Sequence, residues 1–365
     1  MTLQPSVPIP DRTAHPFWMY EMIRTLPESF RVSVEQTLQA PRPLNRRKTF
    51  FVGCGTAYYA GAFGTSLLSS YGGNFEAREA FEFVQAKSQL TDSLVVGISH
   101  SGVTKTTLDA LRHAKAQGSS TYCVTHYSES PITSVAGESL VVGPGPDRSR
   151  CHTRAYVDAA AAVLVLGSVM LELSGTKTPI RTTSLYDEVQ SGLKSALVQT
   201  EETAKLVARD CSSSSKIFIA GVGPSLVNSR EAALKLKESS YVTAEGIGLE
   251  ELIHGPWMAF DDSTLVIALD SFLDERGRER VADLVKASKI VGAKTWVVGH
   301  GGYGEDYAVN LRGGSMFANH FAELIPLYYF AYYSAIERGN NPDFLRYLQP
   351  SYWEARGIVF PSGTH

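Results

Sequence analysis

Cysteine is scarce in this sequence, and its four copies, Cys54, Cys123, Cys151 and Cys211, are scattered with no CxxC pair. That spacing excludes a disulfide framework and a thiolate zinc site, and it predicts a reducing compartment. An excess of either charge is also lacking: 34 Lys and Arg stand against 37 Asp and Glu, for a net charge of −3. No nucleic-acid groove and no anionic-membrane surface is implied, so neither partner is expected. Long apolar runs are missing too; the nearest to a membrane span, Ala155 to Leu173, is interrupted by Asp158 and Glu172. The opening, MTLQPSVPIPDRT, has neither the basic start nor the apolar core of a signal peptide, and a cytoplasmic protein is expected. A small anionic ligand remains compatible with all of this, because it needs only a local pocket.

What is present is globular. The chain has 365 residues, 44% hydrophobic and 19% charged, which predicts two or three domains with a sizeable core. Residues 1–45 read as a lead-in with one amphipathic helix from Trp18 to Thr37. The apolar run from Thr49 ends in Gly53-Cys-Gly-Thr-Ala, and a helix is predicted from Tyr58 to Tyr71. Short apolar strands are predicted at Ser93–Ile98, Ser120–Val124 and Ser139–Val142, with a helix at Thr104–Ala116. The pattern restarts at the strand Lys216-Ile-Phe-Ile-Ala, its turn Gly221-Val-Gly-Pro-Ser and a helix from Leu226 to Ser240. Strands near Thr264–Ala268 and Lys294–Val298 follow, and Phe317–Arg338 is the last long helix. A helical stretch from Tyr156 to Ala208, broken near Gly175 to Ser184, joins the halves. Strands alternating with helices predict an α/β fold: two tandem domains, each a parallel sheet flanked by helices in a three-layer sandwich. The expected boundaries are 46–180, 181–340 and a tail, 341–365.

Gly-x-Gly after a strand opens a dinucleotide fingerprint, but Tyr58 and Leu226 stand where the third glycine belongs. A bulky residue there prevents the close helix approach the fingerprint requires, so no cofactor is expected. The plain alternative is a tight turn with no ligand. Ser99-His-Ser-Gly says more, because it follows an apolar strand and precedes a helix. Ser99, Ser101 and Thr104 there suit either plain helix capping or a phosphate held by hydroxyls and helix N–H groups. Three hydroxyls in one turn favour phosphate.

In the second half, Glu231, Lys235 and Glu238 fall at i, i+4 and i+7, on one helical face. Taken alone, that spacing is also that of a solvated surface ion pair.

At these residues the chain resembles the SIS (sugar isomerase) family, and within it the isomerase half of the glucosamine-6-phosphate synthases. Cys54-Gly-Thr-Ala resembles that group's Cys-Gly-Thr-Ser, and Ser99-His-Ser-Gly its Ser-Gln-Ser-Gly. Glu231-Ala-Ala-Leu-Lys-Leu-Lys-Glu, then Ala244-Glu, then Glu251-Leu-Ile-His-Gly-Pro is similar to its EGALKLKE…AE…GELKHGP. The resemblance implies two SIS domains in a homodimer and one phosphosugar site per subunit, from first-half loops and second-half catalytic residues. It implies phosphate and sugar contacts from Cys54, Gly55, Thr56, Ser99, His100, Ser101 and Thr104. It also implies Glu238 as the proton-shuttling base, Lys235 and Glu231 beside it, and His254 as the ring opener acting from the other subunit. A carboxylate and an imidazole have the pKa range for those tasks near neutral pH. The other histidines show no metal-ligand spacing, and no metal is expected.

Three departures bear on the reaction. About 45 residues precede the first strand, so no glutaminase domain is expected. Arg150-Cys-His-Thr-Arg replaces the synthases' Val-Ala-Ser-Thr-Lys, so Arg150 and His152 either contact an additional polar group or face water. Pro350 stands where those enzymes bring a tail lysine over the sugar, which excludes a Schiff base from that position. The reading that fits is an isomerase/deaminase for an amino-sugar 6-phosphate, with a fructosamine-6-phosphate deglycase as the alternative. A simple aldose–ketose isomerase is a third reading. A non-catalytic phosphosugar sensor is the competitor from another class, and Glu238 and His254 argue against it.

Overall fold

The computed structural model describes residues 10–42, 48–86, 90–178, 183–311 and 314–361. In chain order the elements begin with α1 (Trp18–Arg24), α2 (Leu26–Gln39), β1 (Lys48–Gly53), α3 (Thr56–Leu68), β2 (Phe75–Glu79) and α4 (Ala80–Gln85). They continue with β3 (Ser93–Ile98), α5 (Lys105–Ala116), β4 (Ser120–Thr125), α6 (Pro131–Val135), β5 (Glu138–Val141) and α7 (Arg154–Leu173). Next come α8 (Thr183–Gln199), α9 (Glu201–Asp210), β6 (Lys216–Gly221), α10 (Pro224–Ser239), β7 (Thr243–Gly248) and α11 (Leu249–Ile253). The chain closes with β8 (Thr264–Leu269), α12 (Glu275–Ile290), β9 (Lys294–Gly299), β10 (Tyr307–Asn310), α13 (Met316–Ala322), α14 (Leu324–Glu337) and α15 (Pro350–Val359).

Two five-stranded parallel sheets result, with orders β2-β1-β3-β4-β5 and β10-β9-β8-β6-β7. Read from the β2 and β7 edges, the two orders are the same, which is the predicted duplication. The central strands are continuous apolar runs because helices cover both faces; β3 and β8 are buried at every position. Phe50, Val52, Val95, Leu111 and Cys123 pack one core, and Phe218, Val266, Leu284 and Val297 another. In each sheet the strand order reverses beside the first strand, at β1/β3 and at β6/β8. The crevice outside the strands' carboxyl ends at such a point is where open α/β sheets bind ligands. It places the loops after Gly53 and Ile98 in one unit, and those after Gly221 and Leu269 in the other.

By internal packing the chain forms two compact units, one around Glu28–Tyr186 with Phe344 onward, the other Arg12–Pro27 with Asp187–Asp343. Helix α1 packs on α14 in the second unit, while α3 packs on α7 in the first. The domain boundaries expected near residues 45 and 180 lie outside the described residues.

Several elements differ from expectation. The helix predicted over Trp18–Thr37 is two helices, because Pro27 cannot donate to the preceding turn and its ring crowds the carbonyl four residues back. Pro326 likewise accompanies the division of Phe317–Arg338 into α13 and α14. Strands β2, β7 and β10 were not foreseen: Phe-Glu-Ala-Arg-Glu and Thr-Ala-Glu-Gly-Ile-Gly are polar or glycine-rich edge sequences, as exposed edges require. Helix α15 lies in what reads as a proline-bearing tail, with Pro350 at its first position, where a missing N–H costs nothing.

Helix α7 is long and apolar enough, by length and composition, to cross a membrane, but 89% of that window is buried inside the protein. Its one fully buried charge explains itself through partners. The Asp158 carboxylate accepts from the Ser33 hydroxyl at 2.9 Å, from His126 Nε2–H at 3.1 Å, and from the Ser29 hydroxyl. Asp158→Ala strands those three donors in the core and is expected to cost about 3 kcal/mol or more. Urea unfolding checks this; wild-type stability in the variant would contradict the role assigned to Asp158.

Candidate functional site

In the first unit, β3 ends at Ile98 and delivers Ser99 into the core, where it is buried. Its Oγ accepts from the Gly102 N–H at 3.1 Å and lies 3.1 Å from the Thr104 Oγ1. Ser101 Oγ accepts, at 3.4 Å, from Val103 N–H. The loop can turn this tightly because Gly102 adopts φ +70°, and a Cβ there would fall 2.3 Å from the Ser130 Oγ. Thr104 is the N-cap of α5 yet makes no side-chain capping bond. Of the two readings for the three hydroxyls, Ser99 thus ties the loop together, while Ser101 and Thr104 are partly exposed around the N-terminus of a 12-residue helix. Unpaired helix-start N–H groups and the helix dipole favour an anion there.

The glycine turn after β1 lies beside that loop. Cys54 Sγ is 3.0 Å from Thr106 Oγ1 on the first turn of α5. Burial pushes the Cys54 thiol up, so it is a neutral hydrogen-bonding group rather than a thiolate nucleophile. Gly55, with φ +53°, is the N-cap of α3, and Thr56 is that helix's first residue. A Cβ on Gly53 would stand 2.9 Å from the Ala57 backbone, and one on Gly221 would stand 2.4 Å from the Ser225 carbonyl oxygen. In both turns the first glycine is therefore required by a helix lying close on its strand.

His100 joins this loop to a second one. Its Nε2 accepts from the Asp147 backbone N–H at 2.9 Å, which places the ring proton on Nδ1. Burial, followed by the neighbouring His152 and His126, drives its pKa far down, and the ring is neutral. The His152 and His126 rings lie 4.2 Å and 4.7 Å from it, centre to centre. Arg150 is exposed on the same loop, with its guanidinium 5.8 Å from the Phe344 ring. The loop is held from below by Asp147, whose fully buried carboxylate accepts from the N–H groups of Ser149, Thr153, Arg154 and Ala155 at 3.0–3.3 Å. Asp147 so caps α7, a role the sequence signalled only weakly, since it stands six residues before the N-cap Thr153 rather than at it.

In the second unit, α10 carries Glu231, Lys235 and Glu238. Lys235 Nζ donates to Glu238 Oε2 at 2.7 Å and lies 3.4 Å from Glu231 Oε1. The solvated-face reading of this spacing is overturned: the Glu231 and Lys235 side chains are 0% and 1% exposed. Glu238, at 25%, is the member that reaches solvent. His254 caps the end of α11 with its ring 77% exposed, 3.3 Å from Glu250. At the Gly221 turn, the buried Glu323 carboxylate lies 2.9 Å from the Ser225 hydroxyl and accepts from Asn228 Nδ2 at 3.1 Å. The start of α10 is therefore already served by an internal anion.

The chain is similar to known proteins in sequence and in fold. The SIS domain family matches residues 44–171. A glutamine–fructose-6-phosphate aminotransferase (isomerizing) of Thermococcus kodakarensis is 27% identical over 356 residues, 93% of this chain and 58% of its own length. The chain thus spans little more than half of this relative. Two solved structures share the fold. The C-terminal domain of a glucosamine-fructose-6-phosphate aminotransferase from Francisella tularensis has TM-score 0.79 and 22% identity, covering 91% of this chain and 99% of that one. A glucosamine-6-phosphate deaminase from Thermotoga maritima has TM-score 0.74 and 21% identity, covering 90% and 97%.

The Asp147 carboxyl, pushed up to about 6 by burial, sets a pH dependence. A raised folded pKa means stability is fullest below the unfolded value of about 3.8 and is lost as pH rises through about 6. Asp147→Asn is expected to flatten that slope between pH 4 and 6 in urea titrations (about two pH units); an unchanged slope would contradict it.

Proposed function

Because this chain carries a SIS domain, we propose that it is a phosphosugar isomerase/deaminase acting on an amino-sugar 6-phosphate. The observation that carries this reading is the Lys235–Glu238 pair: a buried ammonium bonded to a carboxylate that still reaches solvent. Burying an ion pair is costly and seldom improves stability, so such a pair is a candidate for chemistry. The first unit supplies the phosphate grip, with Ser101, Thr104 and the α5 N-terminus around the anion and Cys54, Gly55, Thr56 and His100 shaping the loop. The second supplies proton transfer. Glu238 takes the proton from C2 of the opened sugar and returns it at C1. Lys235 steadies the developing oxyanion, and Glu231 lies 3.4 Å behind it. The C2 amine becomes an imine, whose hydrolysis by water yields a ketose 6-phosphate and ammonia. His254 opens the ring, and its exposure in a single chain fits a homodimer in which it serves the neighbouring subunit. No step calls for a cofactor or a metal.

A second reading is favoured by one observation. His152 packs on His100 of the phosphate loop and Arg150 stands exposed on the same segment. An imidazole and a guanidinium there suit a carboxylate-bearing amine, as in a fructosamine-6-phosphate deglycase that releases an amino acid instead of ammonia.

The test incubates the protein separately with glucosamine 6-phosphate, fructose 6-phosphate plus ammonia, and a fructoselysine-type 6-phosphate. Ammonia from the first supports the deaminase, and free amino acid from the third supports the deglycase. Binding of these compounds without turnover would leave only a sensor. In the active case Ser101→Ala is expected to raise KM by about tenfold with kcat little changed, the signature of lost ground-state binding. An unchanged KM would remove Ser101 from the phosphate grip.

A further inference from the structure

The second unit repeats the strand order of the first but fills its cradles differently. After β8 stands Asp270, at the place Ser99 holds after β3. Its buried carboxylate accepts from the His300 N–H at 2.5 Å, the Tyr303 hydroxyl at 2.6 Å and the Gly301 N–H at 3.3 Å. With Glu323 at the start of α10, both strand-end positions of this sheet that would suit a phosphate hold the protein's own carboxylates. A phosphate beside either would meet a like charge in a poorly solvated place.

Beside Asp270 is a cavity of about 450 Å³, lined by Ser271, Phe272, Asp274, Arg278, His300 and Asn319 among others. Ser271 is 1% exposed, and its hydroxyl has no hydrogen-bond partner among the described residues. A buried polar atom left this way costs free energy unless something fills the cavity and bonds to it. Arg278 lies part-buried on the same wall and donates to the Leu273 carbonyl at 3.0 Å. No carboxylate among the described residues is within ion-pair distance of it. A second cavity of about 620 Å³ shares Arg278 and His300 and adds Glu275 and Glu279 from the same face of α12. The two cavities thus share a guanidinium, with a hydroxyl and the Asp274 carboxylate lining the first and the Glu275 and Glu279 carboxylates lining the second. His300 Nδ1–H donates to the Asp270 carbonyl at 3.1 Å.

We propose that this surface is a second small-molecule site that binds a free α-amino acid. Arg278 and Ser271 take the α-carboxylate, the Glu275 and Glu279 edge takes the α-ammonium, and Asn319 and Phe272 border the side chain. Both volumes fall in the range of small-molecule pockets and leave room for a side chain. A carboxylate pairs with a guanidinium in a planar, two-point geometry, and its single charge meets less repulsion from Asp270 and Asp274 than the nearly double charge of a phosphate. The site stands whether or not the reaction above is correct, because its readout is binding.

Calorimetry on the whole chain tests it with L-serine, L-glutamine and L-lysine, against ethanolamine, which lacks the carboxylate, and inorganic phosphate. At least one amino acid is expected to bind, with neither control displacing it. Arg278→Gln is expected to weaken that binding at least tenfold, which is 1.4 kcal/mol or more. Ser271→Ala, which removes only the hydroxyl, weakens it measurably while circular dichroism shows the fold intact. His152→Gln, in the first unit, leaves it unchanged. Failure of all three amino acids to bind, binding indifferent to both Arg278 and Ser271, loss in His152→Gln, or displacement by phosphate would each overturn the proposal.

Discussion

An ammonium group buried in a helix flank is the constraint on which the second unit is arranged. Lys235 is tolerable there only because two carboxylates on its own helix meet it, one at 2.7 Å and the other at 3.4 Å. Removing one partner from a buried pair costs about 3–5 kcal/mol, since the remaining charge stays desolvated. The pair therefore fixes the rotamers of Glu231 and Lys235 and leaves Glu238 the only member with an open side. A base aimed in this way has little freedom to lose when a substrate arrives.

The same logic recurs with single carboxylates. Asp147 gathers four backbone N–H groups under the loop that carries Arg150 and His152, and Asp158 gathers two hydroxyls and an imidazole behind it. Asp270 and Glu323 do comparable work in the second unit. Each is an anion supplied by the chain to donors that would otherwise be orphaned. The duplicated sheets thus diverge in one chemical respect. Around the β3 end the first unit presents hydroxyls and a helix start, whereas the second presents carboxylates at the matching place. Anion capacity survives in one copy and is internally satisfied in the other.

Much of this was legible from residue patterns. The strand-turn-helix units around Gly53 and Gly221 announced themselves through apolar runs ending in Gly-x-Gly, and the parallel sheets followed from strands alternating with helices. The Glu231–Lys235–Glu238 face was visible from spacing, but its burial was not, because helical periodicity is the same for a wet and a dry ion pair. Edge strands β2 and β7 were hidden by their charges and glycines, which protect edges and disguise strands alike, and β10 by being only four residues long. Asp158 was visible as a charge interrupting an apolar run, and such an interruption is itself a sign of a buried partner. The partners, Ser29, Ser33 and His126, were not legible, since they come from distant segments that only the fold joins. The two breaks beside Pro27 and Pro326 are masked in the sequence, because apolar residues at helical spacing run through both.

The central claim is that Glu238 moves a proton between adjacent sugar carbons. Deuterium exchange from D₂O into C1 of fructose 6-phosphate, followed by NMR, tests it without requiring net turnover or a choice of amine. The account predicts exchange with the wild type and none with Glu238→Gln, while that variant still binds the phosphosugar with near-normal affinity. Wild-type exchange in Glu238→Gln would contradict it.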